Sequence, residues 1–237
     1  MLQHTTTTHV GLDVSKASIS VALLRPDGHL DEERVANTHE DVRRLVRRWA
    51  EPSKVRACYE AGPTGYDLYR QLTSLGVDTT VIAPSLTPRR PGDRIKTDRR
   101  DARKLAGLFR AGELTAVRVP TPTEEAVRDL LRSRGDERED ILRARHRLSK
   151  FLLRHGRVYP DGKAWTQRHV AWLAKQRFTE PAAQRTFEHY RAEFDMRLAS
   201  LKLLDDELQA IAHRPPFAAT VTRLCALRGI AELSALT

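Results

Sequence analysis

Short apolar runs alternate with helical patterns in the first third of the chain, and this alternation constrains the fold more than any other feature. The strand-like runs are Val10 to Asp13, Ile19 to Leu24, Glu33 to Ala36, Lys54 to Glu60 and Val77 to Ile82. One helical pattern begins after Thr38, and a second runs from Tyr66 to Leu75. Strands that alternate with helices predict an α/β layer fold with a mixed sheet that is parallel in its later part.

Two long helices are predicted in the second half of the chain. Thr121-Pro122-Thr123-Glu124 has the pattern of a helix start, with an N-cap threonine, a proline at the first position and a glutamate at the third, and this helix continues to about Arg154. A second helix runs from about Ala182 to Ala212. Every seventh residue in it is apolar, at Phe187, Phe194, Leu201 and Leu208. Such heptads indicate a coiled-coil seam, so we expect an antiparallel helical stalk, with Trp165 to Phe178 as a short helix near its tip.

The charge balance favours a polyanionic partner. The chain has 41 Lys and Arg against 31 Asp and Glu, which leaves a net charge of +10 and a pI near 10.0. A surplus of this size attracts phosphate backbones. No run of 18 apolar residues and no signal peptide is visible, so we expect a cytoplasmic protein without a membrane partner. Cys58 and Cys225 are far apart in sequence, which favours reduced thiols over a disulfide or a zinc site.

Four acidic residues in the first half are placed where predicted elements begin or end. Asp13 and Glu60 close two strand-like runs, and Asp98 and Asp101 open a helix with a spacing that puts them on one helical face. Carboxylates that converge in this way bind Mg²⁺ or Mn²⁺ in preference to zinc. The alternative is structural, since Asp often ends strands as a turn former and acids are favoured in a first helical turn by the helix dipole.

A basic run surrounds the predicted helix start. The segment from Arg89 to Lys104 has eight Lys and Arg against three Asp. Arginine suits bidentate phosphate contacts, so the run favours nucleic-acid binding over a merely solvated face. The candidate contact residues are Lys16, Arg94, Lys96, Arg99, Arg100, Arg103 and Lys104. The glycine-rich turn after Glu60 lacks the Lys-Ser ending of a P-loop, and no small-molecule substrate is expected.

Three ordered motifs together resemble the DEDD transposases, the insertion-sequence recombinases whose N-terminal domain is similar to the RuvC junction resolvase. The motifs are Gly11 to Lys16, Tyr59 to Tyr66 and Lys96 to Ala102. The resemblance implies an RNase H-like catalytic domain at residues 1–118, a helical coiled-coil domain at 119–214 and the start of a C-terminal transposase domain at 215–237. It also implies that Asp13, Glu60, Asp98 and Asp101 form the catalytic, metal-binding tetrad.

The same resemblance implies metal-dependent DNA cleavage and strand exchange, with two Mg²⁺ ions about 3.5 to 4 Å apart. It implies a structured guide RNA and assembly into dimers or tetramers. The family's nucleophilic serine has no counterpart, because Ser234 comes too soon after the segment from Leu224 to Ala231 that resembles the opening of the C-terminal domain. Two other functions remain open from sequence: a nucleic-acid-binding and dimerisation module, and a freestanding junction resolvase.

Overall fold

A computed structural model describes residues 7–49, 51–88 and 98–237, with the side chain of Asp98 also outside the description. The chain divides into two compact units at the bond between Val119 and Pro120. The first unit is an α/β layer structure and the second is helical. The predicted division into three domains, at residues 1–118, 119–214 and 215–237, stays a prediction.

A mixed five-stranded sheet forms the centre of the first unit. Its strands are β1 (Thr8–Val14), β2 (Ser18–Leu24), β3 (Leu30–Ala36), β4 (Val55–Glu60) and β5 (Asp78–Ile82). They lie in the order β3-β2-β1-β4-β5. β1, β2 and β3 pair antiparallel, whereas β1 pairs parallel with β4, and β4 with β5. The prediction of an α/β class with a sheet that becomes parallel in its later part is confirmed.

Two helices cover one face of this sheet. Helix α1 (His39–Arg47) begins at Thr38, whose side chain accepts a hydrogen bond from the backbone N–H of Asp41, as the sequence predicted. Helix α2 (Asp67–Ser74) follows β4. The buried apolar side chains beneath them form one cluster, which includes Val10, Leu12, Ile19, Val21, Leu45, Tyr59 and Leu72. Alternate strand residues point to this face because the side-chain period of a strand is two.

Helix α3 (Asp98–Ala111) covers the opposite face. Small residues make the contact where it crosses β1 and β2, since Ala22, Ala102 and Ala106 form a buried cluster. Toward β5, Leu105 packs against Cys58 and Ile82. A methyl group added at Gly11 would clash with the carbonyl oxygen of Ala102 and lie 2.5 Å from the backbone nitrogen of Ala106. The helix backbone therefore lies directly on β1, and a glycine is required at the crossing point.

The second unit has two long helices, α4 (Pro122–Arg154) and α6 (Pro181–Ala212), with the short helix α5 (Gln167–Ala174) between them in sequence. Thr121 and Glu124 form the full capping box that the sequence predicted at the start of α4. Two more short helices follow, α7 (Ala218–Cys225) and α8 (Glu232–Leu236). Among the residues described, no helix has the length and hydropathy needed to cross a membrane.

The two long helices pack antiparallel. Ion pairs connect Arg134 with Asp205, Arg197 with Glu137 and Arg147 with Glu193, so the residue number falls along α6 as it rises along α4. Three of the four predicted heptad residues are buried, at Phe187, Phe194 and Leu208, while Leu201 is half-buried. The antiparallel helix pair is thus observed, whereas a supercoiled coiled coil stays a prediction.

Trp165 does not lie on the short helix where the sequence placed it. Helix α5 begins only at Gln167, and Trp165 has a positive φ of 67°, which a helical residue does not have. Its indole packs against Phe194 with ring centroids 5.0 Å apart, and the guanidinium of Arg145 lies 5.3 Å from the ring. The short helix predicted from Trp165 to Phe178 is therefore observed only over Gln167–Ala174, and Trp165 packs from the turn before it.

Candidate metal and nucleic-acid site

Asp13 and Glu60 come to the same edge of the sheet. β1 and β4 are parallel neighbours, and Leu12 is in register with Tyr59, so the residues that follow them lie side by side. Adjacent strands are about 4.8 Å apart. Gly11 and Cys58 both contact α3, and the residues two positions later point to the same face. Both carboxylates therefore lie on the α3 side of the sheet at the carboxyl ends of parallel strands.

Helix α3 runs antiparallel to β1 and brings its N-terminal turn to this edge. Phe109, near the end of α3, makes an edge contact with His9 at a ring-centroid distance of 5.8 Å. Ala102 and Ala106, which come earlier on the helix, lie against Gly11, which comes later on the strand. The two-residue step from Gly11 to Asp13 covers about 6.6 Å along the strand, and a helix covers this length with between four and five residues. The residues of α3 opposite Asp13 are consequently those of its first turn, where Asp98 and Asp101 are placed.

In the described part of the chain, one carboxylate oxygen of Asp101 is left without a hydrogen-bond partner. Its Oδ2 atom is buried and makes no hydrogen bond among the residues described. Burial of a carboxylate oxygen without a partner costs free energy, because the oxygen loses its water and gains nothing in return. An orphaned oxygen of this kind, at the start of α3, is suited to a cation ligand.

The described side chains do not by themselves assemble a metal centre. Across the described ranges, no three His, Cys, Asp or Glu side chains lie close enough to hold an ion. Asp98, the fourth predicted ligand, has its backbone at the start of α3 but its side chain outside the description. The structure thus places Asp13 and Glu60 at adjacent strand ends and Asp101 on the facing helix. The predicted tetrad itself stays a prediction.

The donor set fits a hard divalent cation. All four predicted ligands are carboxylates, the oxygen donors that Mg²⁺ and Mn²⁺ prefer. The nearby Cys58 thiol is buried and donates a hydrogen bond to the backbone carbonyl oxygen of Leu105. Burial and then the charge of Glu60 raise the pKa of this thiol to about 12. The chemistry of the site therefore favours magnesium or manganese over zinc.

Glu60 is held by a threonine that follows β5. Oγ1 of Thr87 donates a hydrogen bond to Oε1 of Glu60 at 2.8 Å, in a partly buried contact. The carboxylate is therefore oriented by the protein at one of its oxygens.

Two of the predicted nucleic-acid contacts are paired with an acid of the sheet. Glu32 on β3 receives two hydrogen bonds from Arg103, both at 2.9 Å, and an ion pair from Arg99 at 3.0 Å. The Glu32 side chain is only 11% exposed, while those of Arg99 and Arg103 are 72% and 58% exposed. The hydrogen bonds from Arg103, assisted by the charges of both arginines, lower the pKa of Glu32. Both guanidinium groups thus anchor α3 to β3 and still present an open side to solvent.

Three further basic candidates lie in the turn after β1 or on α3. Lys16 is exposed in the turn between β1 and β2, three residues after Asp13. Arg100 is exposed and Lys104 is half-buried on α3. Arg94 and Lys96 lie outside the described residues.

Sequence reasoning missed three residues that shape this site: Gly11, Glu32 and Thr87. Gly11 carried a readable signal, since an isolated glycine inside an apolar strand indicates close backbone approach. Glu32 and Thr87 carried none. Their partners lie 71 and 27 positions away in sequence, and only the fold brings them together.

Comparison with known proteins shows that the chain is similar to transposases. The model of DEDD transposases of the IS110 type, described as "Transposase", matches residues 10–156. The putative transposase y4qE of Sinorhizobium fredii is 41% identical over 233 residues, which cover 96% of this chain and 56% of the relative. The transposase for insertion sequence element IS1533 of Leptospira borgpetersenii is 39% identical over 233 residues, covering 96% of this chain and 67% of the relative. The chain therefore spans between about half and two thirds of the length of these relatives.

Proposed function

Because this chain belongs to the DEDD family of insertion-sequence transposases, we propose that it cleaves and joins DNA strands through a divalent-cation site formed by Asp13, Glu60, Asp98 and Asp101. The observation that supports this most is the buried Oδ2 of Asp101, which has no hydrogen-bond partner in the described part of the chain. It lies on the helix turn that faces the strand ends of Asp13 and Glu60. A cation bound there would offset the cost of burying that oxygen.

The proposed tasks of the chain follow from where the carboxylates are attached. Asp13 and Glu60 would supply oxygens from the ends of two hydrogen-bonded strands. Asp101, together with Asp98 by the sequence prediction, would supply them from the start of α3. Gly11 keeps this helix close enough to the sheet for the two sets to meet. A bound Mg²⁺ or Mn²⁺ would polarise the phosphodiester and stabilise charge on the reacting oxygens.

The basic residues predicted from the sequence would hold the phosphate backbone. Contacts of this type fix position without reading the base sequence. The proposed contacts are Lys16, Arg94, Lys96, Arg99, Arg100, Arg103 and Lys104. From the family resemblance we extend the proposal to a structured guide RNA, to a dimeric or tetrameric assembly, and to a coiled-coil stalk formed by α4 and α6.

Titration of the chain with MnCl₂ by isothermal calorimetry tests the proposal. The wild-type chain is expected to bind Mn²⁺ saturably. Asp13→Asn and Asp101→Asn should each weaken binding by more than about 10-fold, which is the loss expected even for an outer-shell partner. Asp129→Asn is the matched control, since Asp129 is an exposed residue of α4 that pairs with Arg132 within its own helix turn. This control should bind Mn²⁺ as the wild type does.

Equal Mn²⁺ affinity in Asp101→Asn and the wild type would contradict the proposed site. Salt-dependent DNA binding by a chain that binds no Mn²⁺ would instead favour the alternative of a nucleic-acid-binding module without catalysis.

A further inference from the structure

Thr87 lies outside the predicted tetrad and contacts a proposed ligand directly. Its Oγ1 atom donates to Oε1 of Glu60 at 2.8 Å. We propose that Thr87 is a positioning residue, which holds the Glu60 carboxylate in the orientation that a divalent cation requires. This inference rests on the proposed function, because it assigns a role toward the same cation site.

The local fold makes Thr87 a fixed donor. β5 ends at Ile82, which is in register with Glu60 on the neighbouring parallel strand. The backbone N–H of Ala61 donates to the carbonyl of Ile82 at 2.8 Å, which ties the chain after Glu60 to the end of β5. A short 3-10 turn, Pro84–Leu86, then returns the chain over this edge and ends at Thr87. The hydroxyl therefore comes from a backbone anchored to the same two strands as the carboxylate.

Two acceptors lie within hydrogen-bond distance of the Thr87 hydroxyl. Besides Glu60, the carbonyl oxygen of Ala83 lies 3.3 Å from Oγ1. A hydroxyl has one proton, and a hydrogen bond to an ionised carboxylate is shorter and stronger than one to a neutral carbonyl. The 2.8 Å contact accordingly takes the proton, and the carbonyl of Ala83 is the weaker alternative.

The consequence for a bound cation follows from carboxylate geometry. A carboxylate has two oxygens with about four acceptor positions, so one donor on Oε1 restricts the rotation of the group and leaves positions for a cation. Groups that orient a metal ligand in this way contribute about 10- to 100-fold to metal affinity. Loss of the hydroxyl should thus weaken binding although no ligand has been removed.

Three substitutions at position 87 test the role by MnCl₂ calorimetry on the whole chain. Thr87→Val keeps the shape of the side chain and removes the hydroxyl, and it should weaken Mn²⁺ binding by about 10- to 100-fold. Thr87→Ala is a second hydroxyl-free variant, with the same expected loss. Thr87→Ser keeps the hydroxyl and should restore affinity close to that of the wild type. Thermal unfolding of each variant verifies that the fold is intact.

Two further variants separate positioning from general effects. Thr186→Val is the matched control, because Thr186 on α6 likewise bonds the carbonyl four residues earlier, Ala182, and lies in the helical unit. It should leave Mn²⁺ affinity unchanged. In a double-mutant cycle, Thr87→Val should add little further loss to Glu60→Gln, since the hydroxyl acts through that carboxylate.

The outcomes distinguish this inference from the function on which it rests. Wild-type Mn²⁺ affinity in folded Thr87→Val or Thr87→Ala would overturn the positioning role and leave the proposed cation site standing. Weak binding by Thr87→Ser, equal to that of the valine variant, would also overturn it. Absence of Mn²⁺ binding by the wild-type chain would overturn both proposals.

Discussion

The two faces of the five-stranded sheet use the same strands but different kinds of side chain. The face beneath α1 and α2 is filled by large apolar residues, of which Leu12 is 1% exposed. The face beneath α3 has small residues where this helix crosses the sheet, at Gly11 and Ala22. Toward β5 it has Cys58 and Ile82, which pack against Leu105 of α3. One face is built to bury apolar area, whereas the other is built to let a helix backbone approach.

This difference teaches how a polar site can be held on a small domain. Burial of large aliphatic and aromatic side chains supplies most of the stability. The opposite face gives up part of that burial so that α3 lies close to β1, with its first turn opposite Asp13. We expect mutations on the two faces to separate into losses of stability and losses of cation binding.

The largest expected effect on stability comes from the apolar face. Leu12→Ala removes a side chain that is buried between β1 and the helices above it. The lost transfer free energy and the cavity left behind should lower the free energy of unfolding by about 2–5 kcal/mol, as measured by urea denaturation. Folded Leu12→Ala should bind Mn²⁺ with wild-type affinity. A loss of Mn²⁺ affinity in folded Leu12→Ala would contradict the separation of stability and cation binding between the two faces.

The next effect comes from the helix-crossing point. In Gly11→Ala the new methyl group meets the backbone of Ala102 and Ala106, which cannot rotate away. Displacement of α3 should cost about 1–3 kcal/mol of stability and should also weaken Mn²⁺ binding, as calorimetry can measure.

A second glycine provides the matched control for this substitution. Gly107 is exposed on the same helix, and a methyl group added there meets no atom within 4 Å. Gly107→Ala should stabilise the helix by up to about 1 kcal/mol and leave Mn²⁺ binding intact. Unchanged Mn²⁺ affinity in Gly11→Ala would show that the close approach of α3 is unrelated to the site.

The smallest expected effect on the free energy of unfolding is electrostatic and depends on pH. Arg103, with Arg99, lowers the pKa of Glu32 below its ordinary value of 4.5. The folded state therefore binds this proton less readily than the unfolded state, and the stabilisation is present above the unfolded pKa and lost as pH falls through the folded one. Glu32→Gln should be less stable than the wild type at neutral pH, and the difference should shrink in acid.

Urea unfolding at a series of pH values measures this difference. Glu113→Gln, at an exposed position after α3, is the control and should follow the wild-type profile. A pH profile of Glu32→Gln that parallels the wild type would mean that the two arginines do not anchor α3 through Glu32.

Much of the fold could be predicted from local pattern. The five strands, the start of α1 at Thr38 and the capping box at Thr121 all followed from residue types and spacing that act over a few positions. Trp165 was placed wrongly because the sequence pattern does not show at which residue a turn ends and the helix begins. The heptad of α6 predicted which residues face α4, but a supercoil depends on the geometry of both helices.

The site was only partly predictable. The acidic residues could be proposed because the carboxyl ends of parallel strands meet at one edge, and β1 and β4 do meet there. The bonds to Glu32 and Thr87 could not, since each joins segments that are brought together by the packing of α3 or by the turn after β5. Long-range polar contacts have no local pattern from which they can be read.

The central claim is that the acids at the strand ends and at the start of α3 share a divalent cation. Crystals of the chain grown with MnCl₂, measured at the manganese absorption edge, test it most directly. We predict an anomalous difference peak within coordination distance of carboxylate oxygens from Asp13, Glu60 and Asp101. A well-ordered site with no peak there, or with manganese bound only elsewhere on the protein, would contradict the account.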